Sequence, residues 1–370
     1  MLNLFQHLIQ KMQILKPASQ RGERVQDDII PSDFKMNYLH SHKILKAIKK
    51  AKNILINVHV NPDLDTVGSA TALYQVLKKM GKDVALVCPS ELEENFLSLP
   101  YADKIKTIDF SKFKFDKFNL FLVLDTGSVE RTTGKKGIQI PEIPRIVVDH
   151  HKSNKVGGVI RLLDEKASAV CEILYNVIKD WGVKIDKNTA TDLFAGIAGD
   201  TVFFKYAQSS STFKIATELL KIGADRNKIV LNIFNNLNFN HVKFMGEFLS
   251  NMKFDRKGKF VWAALSYEEY AKFGWQKGSR EAVADQFFQS IKGTDFGIAM
   301  LETEKGKLSV SIRSKKGTDV SKLAEKLGGG GHENAAGTTV YNSFDKAVKE
   351  VLAAAQSYHS MSTSEVKQLG

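Results

Sequence analysis

The chain has 370 residues, of which 43% are hydrophobic and 25% charged, and carries a net charge of +12. That length suits two domains with buried cores; the distant cysteines Cys88 and Cys171 argue against a disulfide framework or a Cys-x-x-Cys zinc site, and no apolar run reaches the about 18 residues of a membrane-spanning helix. The positive balance favours polyanionic partners such as nucleotides or RNA, although Lys43, Lys46, Lys49, Lys50 and Lys52 read as a solvated helix face.

Met1–Lys16 reads as a short amphipathic segment without the apolar core of a signal peptide. A polar stretch to about Asp33 follows, so residues 1–37 are expected as a poorly ordered extension. Ile54–Val60 (ILINVHV) predicts a buried strand, Val67–Met80 a helix and Val84–Cys88 a second strand. Asn119–Leu124 and Arg145–Val148 predict further strands, and Ala167–Trp181 and Thr189–Ala198 helices, with Gly182 and Gly223 as helix stops. Strands apolar on both faces and separated by helices imply an α/β fold, a mainly parallel sheet with helices on both faces. This first domain spans 38–224, and 225–251 reads as a helical connector.

Residues 252–357 form a smaller mixed α/β domain, and 358–370 a tail. Its expected strands are Phe260–Leu265, Phe296–Glu302 and Leu308–Arg313, and its helices Arg280–Ile291, Val320–Leu327 and Ser343–Gln356. No internal repeat or low-complexity tract is present.

Polar chemistry gathers where the predicted strands end. His59, Asp63 and Asp65 follow the first strand, in a turn stiffened by Pro62, with the Asp-x-Asp pair expected on a loop. Asp125 follows NLFLVL; Asp149, His150 and His151 follow RIVV; Asp200 follows the apolar 193–198 segment. Any one of these would by default be a cap or turn residue. Together they are not, because the carboxyl ends of neighbouring parallel strands converge on one crevice. Two carboxylates ~4 Å apart repel by about 4 kcal/mol at an effective dielectric of ~20, so either several pKa values rise or a cation sits among them. Mixed Asp and His donors suit Mn²⁺, with Mg²⁺, Co²⁺ or Fe²⁺ as alternatives to it.

At these residues the sequence resembles the DHH family of phosphoesterases. The match runs through His59-x-Asn61-Pro62-Asp63-x-Asp65-x-x-Gly68-Ser69, Asp125-Thr126, Asp149-His150-His151 and Gly196-Ile197-x-x-Asp200-Thr201. Arg313-Ser314 and Gly328-Gly329-Gly330-Gly331-His332-x-x-Ala335-Ala336-Gly337 are similar to the signature of the DHH-associated C-terminal domain. The form of the first motif is most similar to the branch of nanoRNases and 3′-phosphoadenosine-5′-phosphate phosphatases. The resemblance implies two divalent metal ions, one held by His59, Asp63 and Asp125 and the other by Asp65, Asp125, His150 and Asp200. It also implies an orienting role for Asp149 and a place for His151 facing the phosphate or leaving group. Arg313, Ser314, the glycines 328–331 and His332 would bind substrate, the glycines as a nest of backbone N–H groups around an anion. Three residues depart from the branch: Leu64 and Thr66 in the first motif, and Val202 after Asp200-Thr201 where glycine is common.

The expected reaction is hydrolysis of short oligoribonucleotides such as pApA or pGpG, with 3′-phosphoadenosine-5′-phosphate as a further substrate, in the cytoplasm and without a membrane partner. Assembly as a homodimer is left open. A small second domain gripping the substrate predicts a preference for short oligomers over long RNA. The rival enzymes are a cyclic di-AMP phosphodiesterase, towards which bulky Leu64 points, and a manganese-dependent inorganic pyrophosphatase, whose Ser-Arg-Lys-Lys motif residues 311–316 do not match. A non-catalytic RNA-binding protein would need no complete acidic ligand set.

Overall fold

The computed structural model describes residues 37–151, 153–275, 278–315 and 317–368. The expected extension, residues 1–37, therefore lies outside the described residues apart from Asn37. Two units meet in sequence at Arg226 and Asn227.

The first unit is wound around six short strands: β1 (Asn53–Asn57), β2 (Asp83–Cys88), β3 (Ile105–Thr107), β4 (Leu120–Leu124), β5 (Arg145–Asp149) and β6 (Ile160–Leu163). They form one sheet in the order β3-β2-β1-β4-β5-β6, with every neighbouring pair parallel. The helices are α1 (His40–Lys50), α2 (Leu64–Lys79), the short α3 (Val129–Thr133), α4 (Val170–Asp180), α5 (Lys187–Asp200) and α6 (Ser210–Ile222). Leu55, Val87, Phe121, Val123 and Val147 make a buried cluster with Phe110, Phe118, Ile140 and Val156 from the connecting segments. Helix α2 packs on β1, β2 and β4, and α4 on β5. The strand order reverses between β1 and β4, and in doubly wound sheets that reversal opens a crevice at the strands' carboxyl ends.

Several boundaries differ from those the sequence predicts. Helix α2 starts at Leu64, three residues before the predicted Val67, because Asp63 caps it: its carboxylate accepts from the N–H groups of Asp65 and Thr66. Asp65 therefore stands on the first turn of a helix and not on a loop. The short strands β3 and β6 carry too little apolar pattern to be read, being half-exposed at the sheet's edges. Lys43, Lys46, Lys49 and Lys50 lie exposed on α1, the solvated face the charge run suggests.

The second unit holds α7 (Phe239–Ser250), β7 (Lys253–Asp255), β8 (Phe260–Leu265), α8 (Tyr267–Lys272), α9 (Ser279–Gln286), β9 (Phe296–Glu304), β10 (Lys307–Ser314), α10 (Ser321–Lys326), β11 (Gly330–His332), β12 (Ala335–Tyr341) and α11 (Phe344–Gln368). Its sheet runs β11-β12-β10-β9-β8-β7, antiparallel except where β8 meets β9. One face is covered by Phe244, Phe248, Tyr270 and Val283, the other by Leu323, Ala347, Val351 and Ala355. Helix α11 continues through Gln368, past the predicted Gln356 and through the expected tail, because no glycine or proline interrupts residues 344–368. Among the described residues no helix is long and apolar enough to cross a membrane, and Cys88 and Cys171 are both free and buried.

Candidate metal centre

The crevice at the β1/β4 reversal collects the predicted residues from five segments. His59 leaves β1 fully buried, and its Nδ1 faces the Val60 carbonyl at 3.0 Å, so Nε2 is the nitrogen turned to the crevice. That Nε2 lies 3.4 Å from Asp63 Oδ2 and 3.6 Å from Asp125 Oδ2. His150 repeats the arrangement, with Nδ1 3.2 Å from the Ala167 carbonyl and Nε2 3.1 Å from Asp200 Oδ2 and 3.6 Å from Asp125 Oδ1. Backbone carbonyls thus orient both rings as they do for metal-ligating histidines.

Asp125 stands at the middle. It is 2% exposed and sits in the left-handed backbone region (φ 52°), which aspartate tolerates better than most residues. Its two oxygens face different partners, Oδ2 towards His59 and Oδ1 towards His150 and His151. Oδ1 is buried without a hydrogen bond, an arrangement that costs about 1–3 kcal/mol or more for a charged group unless something else satisfies it. Three groups of donors lie close enough to hold an ion: His59, Asp63 and Asp125; Asp65, His150 and Asp200; and Asp125, His150 and His151.

Electrostatics agrees with that geometry. Burial, and then the neighbouring carboxylates of Asp63, Asp65 and Asp200, push Asp125 well above the usual carboxylate range. Burial and the charge of Asp200 push Asp65 up to about 7. Asp200 is also raised, by burial against the opposing hydrogen bond of His150. Burial lowers His150, but the hydrogen bond and charge of Asp200 outweigh it and raise the ring to about 11. Without a cation, crowding and burial hold the carboxyls of Asp65, Asp125 and Asp200 above their ordinary range. The mixed oxygen and nitrogen donor set, with an orphaned buried carboxylate oxygen, fits a divalent metal.

Asp149 lies beneath the cluster, fully buried. Its Oδ1 accepts from the N–H groups of His150 (2.8 Å) and His151 (3.2 Å) and from Nδ1 of His151 (2.7 Å). Burial raises its pKa, but His151 and then Asn154 bring the carboxyl below its ordinary range. The ring it orients is that of His151.

The family model described as the DHH family, N-terminal domain, matches residues 53–197, and that of the DHHA1 domain matches residues 257–360. The chain belongs to the DHH family of phosphoesterases. It is 29% identical over 320 residues to the bifunctional oligoribonuclease and PAP phosphatase NrnA of Thermus thermophilus, covering 84% of this chain and 91% of that one. Identity to the Bacillus subtilis protein of the same name is 26% over 309 residues, covering 82% and 94%. Among solved structures, an exopolyphosphatase-related protein from Bacteroides fragilis superposes with a TM-score of 0.80 at 26% identity, covering 87% of this chain and 97% of that one. DHH phosphoesterases use divalent metals, in keeping with the donor groups found here.

Four residues of this DHH domain that sequence reasoning missed support the cluster. Asn154 donates to Asp149 Oδ2 (2.5 Å) and to the Thr126 carbonyl (2.9 Å), tying the segment after β5 to the one after β4. The N–H groups of Val170 and Cys171, opening α4, donate to the Asp65 carboxylate at 2.6 and 2.9 Å. Arg131 on α3 brings its guanidinium to the ring of His59. Only the glycine or aspartate motifs carry a sequence signal; these partners depend on how loops fold back.

The departures from the family pattern act differently. Leu64 is 7% exposed and packs under Gly199, where a Cβ would come within 2.6 Å of the leucine Cβ. It offers the crevice almost no surface, so its bulk gives no ground for a cyclic-dinucleotide pocket. Thr66 is buried, and its Oγ1 accepts from the His59 N–H at 3.4 Å. Val202 is exposed and opens a run of three left-handed residues, Val202, Phe203 and Phe204.

In the DHHA1 domain the glycine run is not an open nest. The N–H groups of Gly328 and Gly329 donate to the carbonyls of Glu325 and Ala324 and so close α10, while Gly330 and Gly331 pair with Gly337 and Ala336 of β12. A Cβ at Gly329 would meet the Gly337 carbonyl at 2.2 Å, so close chain approach explains the glycine there. Arg313 already engages Asp285, Nε at 2.5 Å and Nη2 at 3.4 Å, and Ser314 Oγ donates to the Thr318 carbonyl. The His332 side chain lies outside the described residues.

Proposed function

We propose that this chain is a metal-dependent phosphodiesterase and phosphatase that hydrolyses short oligoribonucleotides, dinucleotides such as pApA and pGpG among them, and 3′-phosphoadenosine-5′-phosphate. The observation that carries the reading is Asp125, a buried carboxylate with one oxygen towards His59 and the other towards His150 and His151. Two ions would be held, one by His59, Asp63 and Asp125 and the other by Asp65, Asp125, His150 and Asp200. Mn²⁺ is the preferred occupant on donor chemistry. Bound there, divalent ions supply charge neutralisation for the phosphate and a water of lowered pKa.

The chain's own residues do the rest. Asp63 caps α2 with Oδ1 and keeps Oδ2 towards His59, so one carboxylate fixes both the helix and the ligand geometry. Asp149 holds the His151 ring by Nδ1 and thereby aims it. His151 is assigned to hold a phosphate oxygen or to give a proton to the departing one. Arg313, kept in position by Asp285, and His332 remain the candidates for substrate grip in the second unit, whereas Ser314 and Gly328–Gly331 serve that domain's own hydrogen bonds. The relatives named as oligoribonuclease and PAP phosphatase support this substrate class. The two free, buried cysteines support a reducing, cytoplasmic setting.

The test is one preparation supplied with Mn²⁺ and offered pApA, pGpG, cyclic di-AMP, 3′-phosphoadenosine-5′-phosphate and pyrophosphate. Fastest turnover is expected on the linear dinucleotides. Fastest turnover of pyrophosphate or cyclic di-AMP would replace this reading with one of its rivals.

A further inference from the structure

Arg131 is an arginine with an unusual set of neighbours. Its backbone is pinned at the rim of the crevice: Ser128 Oγ accepts from its N–H (3.2 Å), and its carbonyl accepts from the N–H of Val60, the residue after His59 (2.9 Å). Thr132 and Thr133, next along α3, are buried. The side chain itself is exposed, yet Nη2 reaches to 2.9 Å from His59 Nε2 and 3.3 Å from Nδ1. Near-equal distances to both ring nitrogens place the guanidinium against the ring, not along the Nε2 lone pair. A ligand on Nε2 and the guanidinium can therefore coexist.

Although carboxylates crowd this crevice, Arg131 forms no ion pair among the described residues. A planar cation fixed beside the cluster, with N–H groups not committed to a carboxylate, matches an anion with two oxygens.

Resting on the phosphoesterase reading above, we propose that Arg131 is a further substrate-binding residue, stacked on His59 and gripping a non-bridging oxygen of the substrate phosphate. Nothing in the sequence marks it, since it lies six residues after Asp125 in a stretch that carries no motif. A grip present in ground state and transition state alike acts mainly on KM.

The experiment compares the wild type with Arg131→Gln and Arg131→Lys in three measurements: Mn²⁺ uptake by the metal-stripped proteins, affinity of the Mn²⁺-loaded proteins for inorganic phosphate, and KM against kcat on pApA. Arg131→Gln should take up Mn²⁺ within about twofold of wild type, bind phosphate about ten- to hundredfold more weakly and raise KM by a similar factor, the scale of one lost charge-assisted hydrogen bond. Arg131→Lys should recover part of the loss. Unchanged phosphate affinity and KM in Arg131→Gln overturn the proposal. So does Mn²⁺ uptake that falls in step with activity, because Arg131 would then merely be holding His59 in place. A wild type that takes up no Mn²⁺ removes the metal reading itself and this inference with it.

Discussion

At the scale of single residues, the centre is a group of carboxylates kept close by folding and therefore held against their own repulsion. The sign of the pH dependence follows. Asp65 keeps its proton in the folded chain up to about 7, whereas an unfolded aspartate releases it near ~3.9. Between those values the folded state binds more protons, so the metal-free protein loses stability as pH rises. Asp125 and Asp200, raised for like reasons, act in the same direction. His150, raised to about 11, extends the trend above its unfolded value near ~6.5. The gap in Tm between Mn²⁺-loaded and chelated protein should widen from pH 5 to pH 8; a gap that stays constant contradicts the assignment of these shifts to the metal cluster. A second residue-scale expectation concerns Val202, a β-branched residue at φ 47° and 47% exposed. Val202→Gly should stabilise by roughly 0.5–1 kcal/mol in urea unfolding, the left-handed cost less glycine's extra backbone entropy. A loss of stability there would mean that the valine side chain has a contact that offsets the strain.

At the scale of elements, the centre depends on how closely α2 and α5 approach. A Cβ on Gly68 would lie 2.5 Å from the Asp192 carbonyl, and one on Gly196 would lie 2.3 Å from Cys171 Sγ and 2.7 Å from Asp65 Oδ1. Gly196→Ala is expected to cost about 1–3 kcal/mol by overpacking and to weaken metal uptake, because the methyl pushes on a candidate ligand. Gly246→Ala on α7, where a Cβ meets nothing within 4 Å, should instead stabilise by about 0.5–1 kcal/mol. Equal responses of the two variants in chemical denaturation would refute the close-approach argument. The strands that position the ligands were legible in the sequence, since β1, β4 and β5 are buried on both faces and read as unbroken apolar runs. The start of α2 was not, because a capping aspartate and a ligand aspartate look alike on paper. Strands β11 and β12 were hidden for the opposite reason: glycine and alanine carry the pairing there without the bulk that marks a strand.

At the scale of the whole molecule, the first unit brings together residues spread from His59 to Asp200, and the reversal of strand order between β1 and β4 is what makes one site of them. The candidate ligand residues stand out in the sequence because most of them follow directly on an apolar strand or helix. Arg131, Asn154 and Asp285 do not, because their partners are set by loops and by strand register. On the reading proposed above, Asp125 would help to hold both metal ions of a phosphodiesterase. The most direct measurement is release of AMP from pApA by metal-stripped protein, before and after adding Mn²⁺, for the wild type and for Asp125→Ala. The account predicts no release without metal, release by wild type once Mn²⁺ is added, and none from Asp125→Ala at any Mn²⁺ concentration. Release by the stripped wild type, or by Asp125→Ala at a rate near that of wild type, would contradict it.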